Sequence, residues 1–306
     1  MYDKNHRKEV MLKIGESMDE LMGKFLISPD KNWQPTDMLP NSNSPEFLNE
    51  VKELQELSME IDYDLFAVLI GDTITEEALP TYQSWLMGLD GVDQGERKGW
   101  TQWIRAWTAE ENRHGDMLNK YLYLSGRVNM KEMEISTQYL IGDGFDIHTA
   151  TDPYKNFVYT SFQEIATNVS HRRVGEFVKK QGNDQLAKMC AFVAADEARH
   201  GNAYKEFVRR IFELDPSEMM LAFQFMMKKK ITMPAHFLRE SGEGIGDVYT
   251  YFSEAAQRAK VYTSNDYIDI LRSLLKDWDI TNIKGLNDKA EKARDYVVAL
   301  PDRLQR

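Results

Sequence analysis

An all-α fold is what this chain predicts, on three observations. Apolar residues recur at helical spacing over long stretches, with Trp100, Trp103, Trp107, Leu118 and Tyr121 on one face and Leu186, Met189, Val193, Tyr204 and Phe207 on another. Helix breakers are few, 9 prolines in 306 residues, which suits packed helices better than strands and turns. Hydrophobic residues make up 42% and charged residues 28%, enough apolar material for a sizeable core and too much for a disordered chain.

Taken in order, a first helix is expected from about Glu9 to Leu26, and a loop rich in Pro and Asn between Ser28 and Ser44 holds Trp33. By itself a Trp in a polar loop reads as a packing anchor. A second helix is expected from about Ser44 to Leu57. From Asp62 to Leu89 the run DYDLFAVLIGDTITEEALPTYQSWLMGL forms a long helix kinked at Pro80, whose ring cannot continue the hydrogen-bond ladder. Within it Glu76 and Glu77 stand among Leu69, Ile70, Ile74, Leu79 and Tyr82. Neighbours on a helix are about 100° apart, so at most one points squarely inward, and spacing does not say which.

A turn from Gly88 to Gly99 leads to a helix carrying EENRH, Glu110 to His114. A polar linker, Asp143 to Asp152, precedes a helix from about Pro153 to Lys180 with an unusually polar stripe of Phe157, Ser161, Glu164, Asn168 and His171. The next helix carries DEARH, Asp196 to His200. From about Pro216 to Arg306 the chain is helical again, with a basic run at Lys228 to Lys230, MPAH at Met233 to His236 and a Gly-rich break at Gly242 to Gly246. His6, His148 and His236 match no ligand spacing and read as surface or capping residues.

The two phrases EENRH and DEARH each contain Glu-x-x-His. Residues three apart share a helix face, so Glu111 with His114, and Glu197 with His200, present a carboxylate and an imidazole to one point. Both pairs fall inside apolar stripes, where a lone carboxylate costs about several kcal/mol unless a cation meets it. Arg113 and Arg199 offer one source of positive charge; a metal offers another. The order of helices favours the metal. A helix with one candidate Glu precedes a Glu-x-x-His helix twice, Glu76 lying 35 residues before Glu111 and Glu164 lying 33 before Glu197. That is the ligand pattern of a ferritin-like four-helix bundle, with further helices packed on it, holding two metal ions. Two ferrous ions would balance four glutamates, mixed oxygen and nitrogen donors suit iron or manganese, and six ligands leave positions for dioxygen.

Composition narrows the function further. A net charge of −11 argues against a general nucleic-acid binder. No apolar run is long enough for a membrane span, and MYDKNHRKEV resembles neither a signal peptide nor a transit peptide, so a cytoplasmic protein or a mature organellar form is expected. The single Cys190 excludes intrachain disulfides and any iron–sulfur cluster held by the chain's own thiolates. Electrons for a redox site would come from a separate protein. One domain is expected over residues 1–306.

Six phrases then carry a resemblance: GDTITEEALPTYQ (Gly71 to Gln83), RAWTAEENRHGD (Arg105 to Asp116), NKYLYLSGRV (Asn119 to Val128), YTSFQE (Tyr159 to Glu164), AADEARH (Ala194 to His200) and KKKITMPAH (Lys228 to His236). From Trp33 to Leu300 the chain resembles the soluble acyl-acyl-carrier-protein desaturases, the stearoyl-ACP desaturase family of plant plastids and some bacteria. The resemblance implies Glu76, Glu111, His114, Glu164, Glu197 and His200 as iron ligands, with Glu76 the first of the TEEALP pair. It implies Thr167 as a catalytic hydroxyl beside the oxygen-binding position, and a route for electrons from Trp33 through Asp196 to His114. Two Fe ions, dioxygen as co-substrate, a ferredoxin as electron donor, acyl carrier protein (ACP) as the carrier of a saturated acyl chain, and a homodimer in the bacterial cytoplasm or the plastid stroma complete the expectation.

Asp196 is expected to bind the outer nitrogen of His114, and Glu110 that of His200. Basic clusters at Arg172, Arg173, Lys179 and Lys180 and at Lys228 to Lys230 are candidates to meet acidic ACP. Trp85, Met87 and Gly88 stand where the family lines the deeper tunnel, and a bulky Trp85 there would shorten it. Plant members usually continue beyond the position of Arg306, so a C-terminal segment over the bundle is expected to be missing. The competing readings are a ferritin-like iron oxidase or storage protein, a radical-generating subunit like the small subunit of ribonucleotide reductase, and a catalytically altered acyl-ACP-binding relative. Length, the phrases outside the site and a full ligand set favour the desaturase.

Overall fold

The computed structural model describes residues 4–246 and 248–306. Among the described residues the regular structure is helical throughout: α1 (Lys4–Gly15), α2 (Met18–Phe25), α3 (Phe47–Met59), α4 (Tyr63–Glu77), α5 (Leu79–Met87), α6 (Gly99–Ser125), α7 (Met130–Asp143), α8 (Pro153–Lys180), α9 (Asp184–Leu214), α10 (Pro216–Lys229), α11 (Tyr249–Arg258), α12 (Ser264–Asp277) and α13 (Asp288–Leu304). Helices α4, α6, α8 and α9 carry the candidate ligands and pack on one another.

The longest pairing is α8 against α9. Asp152 caps α8 by accepting from the amides of Tyr154 and Lys155, with Pro153 at the first turn where its missing N–H costs nothing. Gly182, at φ +85°, turns the chain, and Asn183 caps α9 by accepting from Leu186 N. Every member of the stripes on α6 and α9 is buried, including all the ligands they carry. On α8, Phe157, Ser161, Glu164 and His171 are buried and Asn168 is half-buried. The C-terminal helices cover this frame: α10 and α12 lie on α8, and α11 lies on α4. Phe252 of α11 presses onto Gly71, where an added Cβ would stand 2.2 Å from the ring.

Three elements differ from the sequence expectation. The helix expected over Glu9 to Leu26 starts earlier and breaks between Gly15 and Met18, where Ser17 Oγ donates to Ile14 O at 2.9 Å and closes the first segment. The long kinked helix is two helices, α4 and α5, meeting at Ala78. Pro80 sits in the first turn of α5, a position that tolerates it, and Tyr82 Oη donates to Thr75 O at 2.9 Å, serving a carbonyl near the break. Finally, α7 forms after Gly126, which ends α6 at φ +68°. It lies in a stretch to which the sequence reading assigned no separate helix.

Candidate metal centre

Each of the four inner helices brings its acid to one buried place. Glu76 comes from α4, Glu111 and His114 from α6, Glu164 from α8, and Glu197 and His200 from α9. Their donor atoms form two overlapping groups, Glu76 with Glu111, His114 and Glu197, and Glu111 with Glu164 and His200, each with its atoms within 4.8 Å of one another. Glu111 belongs to both. Its Oε2 lies 3.2 Å from His114 Nδ1 and its Oε1 lies 2.5 Å from His200 Nδ1. His114 Nδ1 is also 3.1 Å from Glu197 Oε1 and 3.6 Å from Glu76 Oε2, and His200 Nδ1 is 3.8 Å from Glu164 Oε2.

The helices approach closely because a glycine follows each histidine. A Cβ on Gly115 would stand 3.0 Å from the backbone N of Glu77, and one on Gly201 would stand 3.3 Å from Glu164 Cβ. The repeat therefore reads Glu-x-x-His-Gly, with the glycine admitting the helix that supplies the lone glutamate. This signal stood in the sequence and was not used there. Of the adjacent acids in α4, Glu76 is buried in the cluster and Glu77 is half-buried beside Gly115.

Electrostatics show that the donors need a partner. Burial pushes the Glu164 carboxyl well above its usual range, and the nearby Glu197 and Glu111 push it further. Burial, with Glu111 and Glu76 beside it, raises Glu197 too, and His114 opposes the shift. Burial works against charge on Glu111 as well, but His114 and His200 hold it well below the usual carboxylate range. His200 is raised to about 9, burial opposing and Glu111 prevailing. His114 Nδ1 and Glu164 Oε2 are buried without a hydrogen-bond partner, an arrangement that native interiors rarely leave unless a ligand satisfies it. Oxygen and imidazole donors in two overlapping groups fit a pair of divalent cations.

The outer imidazole nitrogens meet acids. His114 Nε2 is 3.4 Å from Asp196 Oδ2, and His200 Nε2 is 2.9 Å from Glu110 Oε2. The arginines turn to these acids and leave the ligands to a metal: Arg113 Nη2 donates to Asp196 at 2.7 Å, and Arg199 donates to Asp196 Oδ1 at 2.9 Å and to Glu110. Asp196 Oδ2 also accepts from Trp33 Nε1 at 3.1 Å. The indole lies nearly parallel to the His114 ring, 6.0 Å between centroids and 9° between planes, with the Arg113 guanidinium 4.3 Å over its face. Thr167 Oγ1 lies within reach of Glu197 Oε2, at 2.5 Å, and of the carbonyls of Gln163 and Glu164.

A cavity of about 600 Å³ opens onto this cluster. Glu76, Glu111, Glu164, Glu197 and Thr167 line it, whereas His114 and His200 are fully buried behind them. On one side its wall is the aromatic and aliphatic surface of Leu79, Tyr82, Trp85 and Leu86; elsewhere it includes the exposed Lys228, Lys230 and Ser264. Trp85 is held edge-on by Phe145 and Tyr159, at 5.5 and 5.6 Å.

One expectation holds here and another is corrected. His236 caps its turn, its Nδ1 3.0 Å from Met233 O, but it also stacks on Tyr249 at 3.6 Å and lines the cavity. Arg173 is not a free surface cation: it is paired with Asp266 and donates to Val261 O. Arg172 pairs with Glu176 at 2.9 Å, while Lys179, Lys180, Lys228 and Lys230 remain exposed. His6 and His148 lie at the surface beside Asp215 and Asp146. Sequence reasoning missed His171, fully buried with Nε2 2.8 Å from Glu76 Oε1; the polar stripe on α8 was its signal.

Comparison with known proteins gives the same picture. The profile of the family described as fatty acid desaturase matches residues 6–306. The chain is 50% identical over 304 residues to a stearoyl-[acyl-carrier-protein] 9-desaturase of Gossypium hirsutum, covering 98% of this chain and 76% of that one. It is 48% identical over 280 residues to palmitoyl-[acyl-carrier-protein] 4-desaturase 3 of Ophrys sphegodes, covering 90% and 70%. An X-ray structure assigned to acyl-ACP desaturase DesA2 of Mycobacterium tuberculosis H37Rv shares the fold, with a TM-score of 0.56 at 17% identity over 93% of this chain and 99% of that one.

Proposed function

The chain belongs to the fatty acid desaturase family, and we propose that its buried cluster holds two iron ions that act with dioxygen and ferredoxin electrons on an acyl chain in the adjoining cavity. Its activity is the desaturation of acyl chains carried on ACP, in fatty acid biosynthesis. Two hydrogens leave adjacent methylenes of a saturated chain and a cis double bond forms. The observation that carries the assignment of chemistry to this site is the pair of ligand groups sharing Glu111 and opening, carboxylates first, onto the cavity.

When bound, the metals would supply the site that activates dioxygen, held by Glu76, Glu111, His114, Glu164, Glu197 and His200. The chain's own residues do the rest. Asp196 and Glu110 accept from the outer nitrogens of the histidines, which fixes each ring with Nδ1 toward the ligand carboxylates. Thr167, on the cavity wall against Glu197, places a hydroxyl that holds or passes a proton at that carboxylate. Leu79, Tyr82 and Leu86 keep water from the acyl chain, which is bound by burial alone. Trp33, Asp196 and His114 form a contiguous path from a half-buried indole to the cluster, which supports their role in electron delivery.

The same reading takes residues 1–306 as one ferritin-like domain acting as a homodimer, with ACP and ferredoxin as partners. No helix among the described residues is long and apolar enough to cross a membrane. Plant relatives such as that of Gossypium hirsutum are chloroplastic, which supports a plastid stroma or, for a bacterial chain, the cytoplasm. The test is incubation of the iron-loaded chain with a panel of acyl-ACPs, reduced ferredoxin and oxygen, followed by mass spectrometry of the released fatty acids. A product lighter by two hydrogens is expected; an iron-loaded chain that yields none from any acyl-ACP would overturn the reading.

A further inference from the structure

The two halves of the repeat are lined differently at matching positions. Four, eight and eleven residues before Glu111 stand Trp107, Trp103 and Trp100, whereas the same steps before Glu197 reach Val193, Met189 and Leu186. Four residues after His200 stands Tyr204, and four after His114 stands Leu118. All eight side chains are buried, so one end of the bundle core is aliphatic and the other aromatic. The aromatic end is continuous. Centroid to centroid, Trp107 lies 6.5 Å from His200 and 6.2 Å from Tyr204, Tyr204 lies 6.1 Å from Trp103, and Phe207 lies 4.9 Å from both Trp103 and Trp100. Packing alone does not account for these residues. Trp107 Nε1, Tyr204 Oη and Trp103 Nε1 are all buried without a hydrogen-bond partner, a penalty that leucine or phenylalanine would avoid. Trp100, at the far end, differs: its Nε1 donates to Met11 O of α1 at 2.7 Å, and it follows the exposed stretch Asp93 to Lys98 in the chain.

We propose that Trp107, Tyr204, Trp103 and Trp100 form an outlet for oxidising equivalents, a further function that protects the site when dioxygen reacts there with no acyl chain in the cavity. The inference rests on the oxygen-activating, two-metal reading of the cluster and concerns the residues behind it. In desaturation the acyl chain gives the oxygen-derived oxidant two hydrogens. With no acyl chain bound, that oxidant takes two electrons, one at a time, from the Trp107 indole, and two protons from water complete its reduction. Each electron lost leaves an indole radical cation. Neither Trp107 Nε1 nor Trp103 Nε1 has a hydrogen-bonded base to take its proton, so the charge is not trapped there as a neutral radical. Met11 O, which accepts from the Trp100 N–H, stabilises the cation at that ring instead and draws it outward through the contiguous aromatic groups. At Trp100, under the single helix α1, a soluble one-electron reductant such as ascorbate returns the two electrons. At the aliphatic end Val193, Leu186 and Leu118 offer no ring to oxidise.

The test reads the chain itself and not the product. The iron-loaded chain is reduced anaerobically, mixed with dioxygen without acyl-ACP, freeze-quenched for electron paramagnetic resonance, and mapped for oxygen adducts by peptide mass spectrometry, with the metal-free chain as background. The wild type is expected to show a transient organic radical, narrowed when its tryptophans carry ring deuterium, and adducts concentrated at Trp100. Saturating acyl-ACP should suppress both. Trp103→Phe cuts the array, so it is expected to lose the Trp100 adducts and to hold oxidation at Trp107 and at the cavity-lining Tyr82 and Met227, with desaturation at saturating acyl-ACP unchanged. Trp100→Phe removes the outer end, so adducts should collect at Trp103 and Trp107, and this variant carries the test if Trp103→Phe does not fold. A wild-type chain with no tryptophan radical and adducts only on cavity residues overturns the proposal, as does Trp100 oxidation that persists in Trp103→Phe. A wild-type chain that binds no iron, or whose reduced iron does not consume dioxygen, instead overturns the two-metal reading.

Discussion

His114 and His200 both turn Nδ1 to the ligand carboxylates and Nε2 to an acid, but the acids lead to different places. Asp196, behind His114, accepts from the half-buried indole of Trp33 and from two arginines. Glu110, behind His200, accepts from Arg199 and from the backbone amide of Ile27, at 2.5 Å. Beyond His200 on the cavity side stands Trp107, 6.5 Å away between ring centroids. The internal repeat thus sets the ligands and the acids behind them, while the loop that follows α2 gives one acid a backbone amide, from Ile27, and the other an indole, from Trp33.

The strongest way to break this comparison is to remove what the halves share. Glu111→Ala deletes the only carboxylate common to both ligand groups, so it is expected to abolish the binding of both ions and all desaturation. His200→Ala or Glu197→Ala should cost one or both. Iron content by elemental analysis after loading with ferrous iron checks this. Two ions per chain retained in Glu111→Ala would show that the halves bind metal independently.

Next in size is the contrast between the acids. Asp196→Asn keeps the shape but loses the charge that orients His114 and bonds Trp33, and it is expected to lower turnover with reduced ferredoxin by about ten- to a hundredfold. Trp33→Phe should lower it as well, through the lost indole. Glu110→Gln acts directly on His200 and reaches Asp196 only through the shared Arg199, so its main effect should fall on metal retention. The check is single-turnover reduction of the metal centre by reduced ferredoxin, followed spectroscopically in all three variants. Equal slowing by Asp196→Asn and Glu110→Gln would remove the one-sided path.

Much of this was legible in the sequence. The Glu-x-x-His phrases and the lone glutamates at nearly equal offsets specified the cluster, because helix periodicity alone puts such residues on one face. What periodicity cannot express is contact between distant segments. Nothing near Trp33 says that its indole reaches Asp196, and the family resemblance, not the residues themselves, pointed to it. The break at Ala78 was hidden because the run stays apolar across it and Pro80 suits either a kink or a first turn. His171 was named as part of a polar stripe, but that it meets Glu76 depends on how α8 sits against α4.

The halves differ again along the cavity. Nine residues beyond Glu76 stands Trp85, and nine beyond Glu164 stands Arg173, which pairs with Asp266 next to the cavity-lining Thr263. Since Arg173 is committed to that pair, the exposed cations that line the cavity among the described residues are Lys228, whose Nζ lies 5.0 Å over the Tyr296 ring, and Lys230. Reversing both, Lys228→Glu with Lys230→Glu, is expected to raise KM for acyl-ACP about tenfold at low salt with kcat little changed, because an acidic carrier would then meet like charge. Steady-state kinetics at two ionic strengths decide it, and an unchanged KM would move the docking face to Lys179 and Lys180.

Trp85 makes the finest distinction. It lines the cavity and, with Pro80, Ser84 and Phe145, also a second pocket, so its indole is a wall shared by the two. Two edge-on aromatic contacts hold it there, which leaves it little freedom to swing aside for a longer chain. An acyl chain lying past the carboxylates toward α5 therefore ends against the indole. Each methylene that fits gains roughly 0.8 kcal/mol by burial, about fourfold in binding. Trp85→Ala would join the two spaces, and preference among acyl-ACPs differing by two carbons should move toward the longer chain. Double-bond position counted from the carrier end should stay the same, because the distance from the exposed lysines to the metal ligands is untouched. Competition between acyl-ACPs, with product position read by mass spectrometry, separates these effects. An unchanged chain-length profile in a folded Trp85→Ala chain would mean that the cavity ends elsewhere.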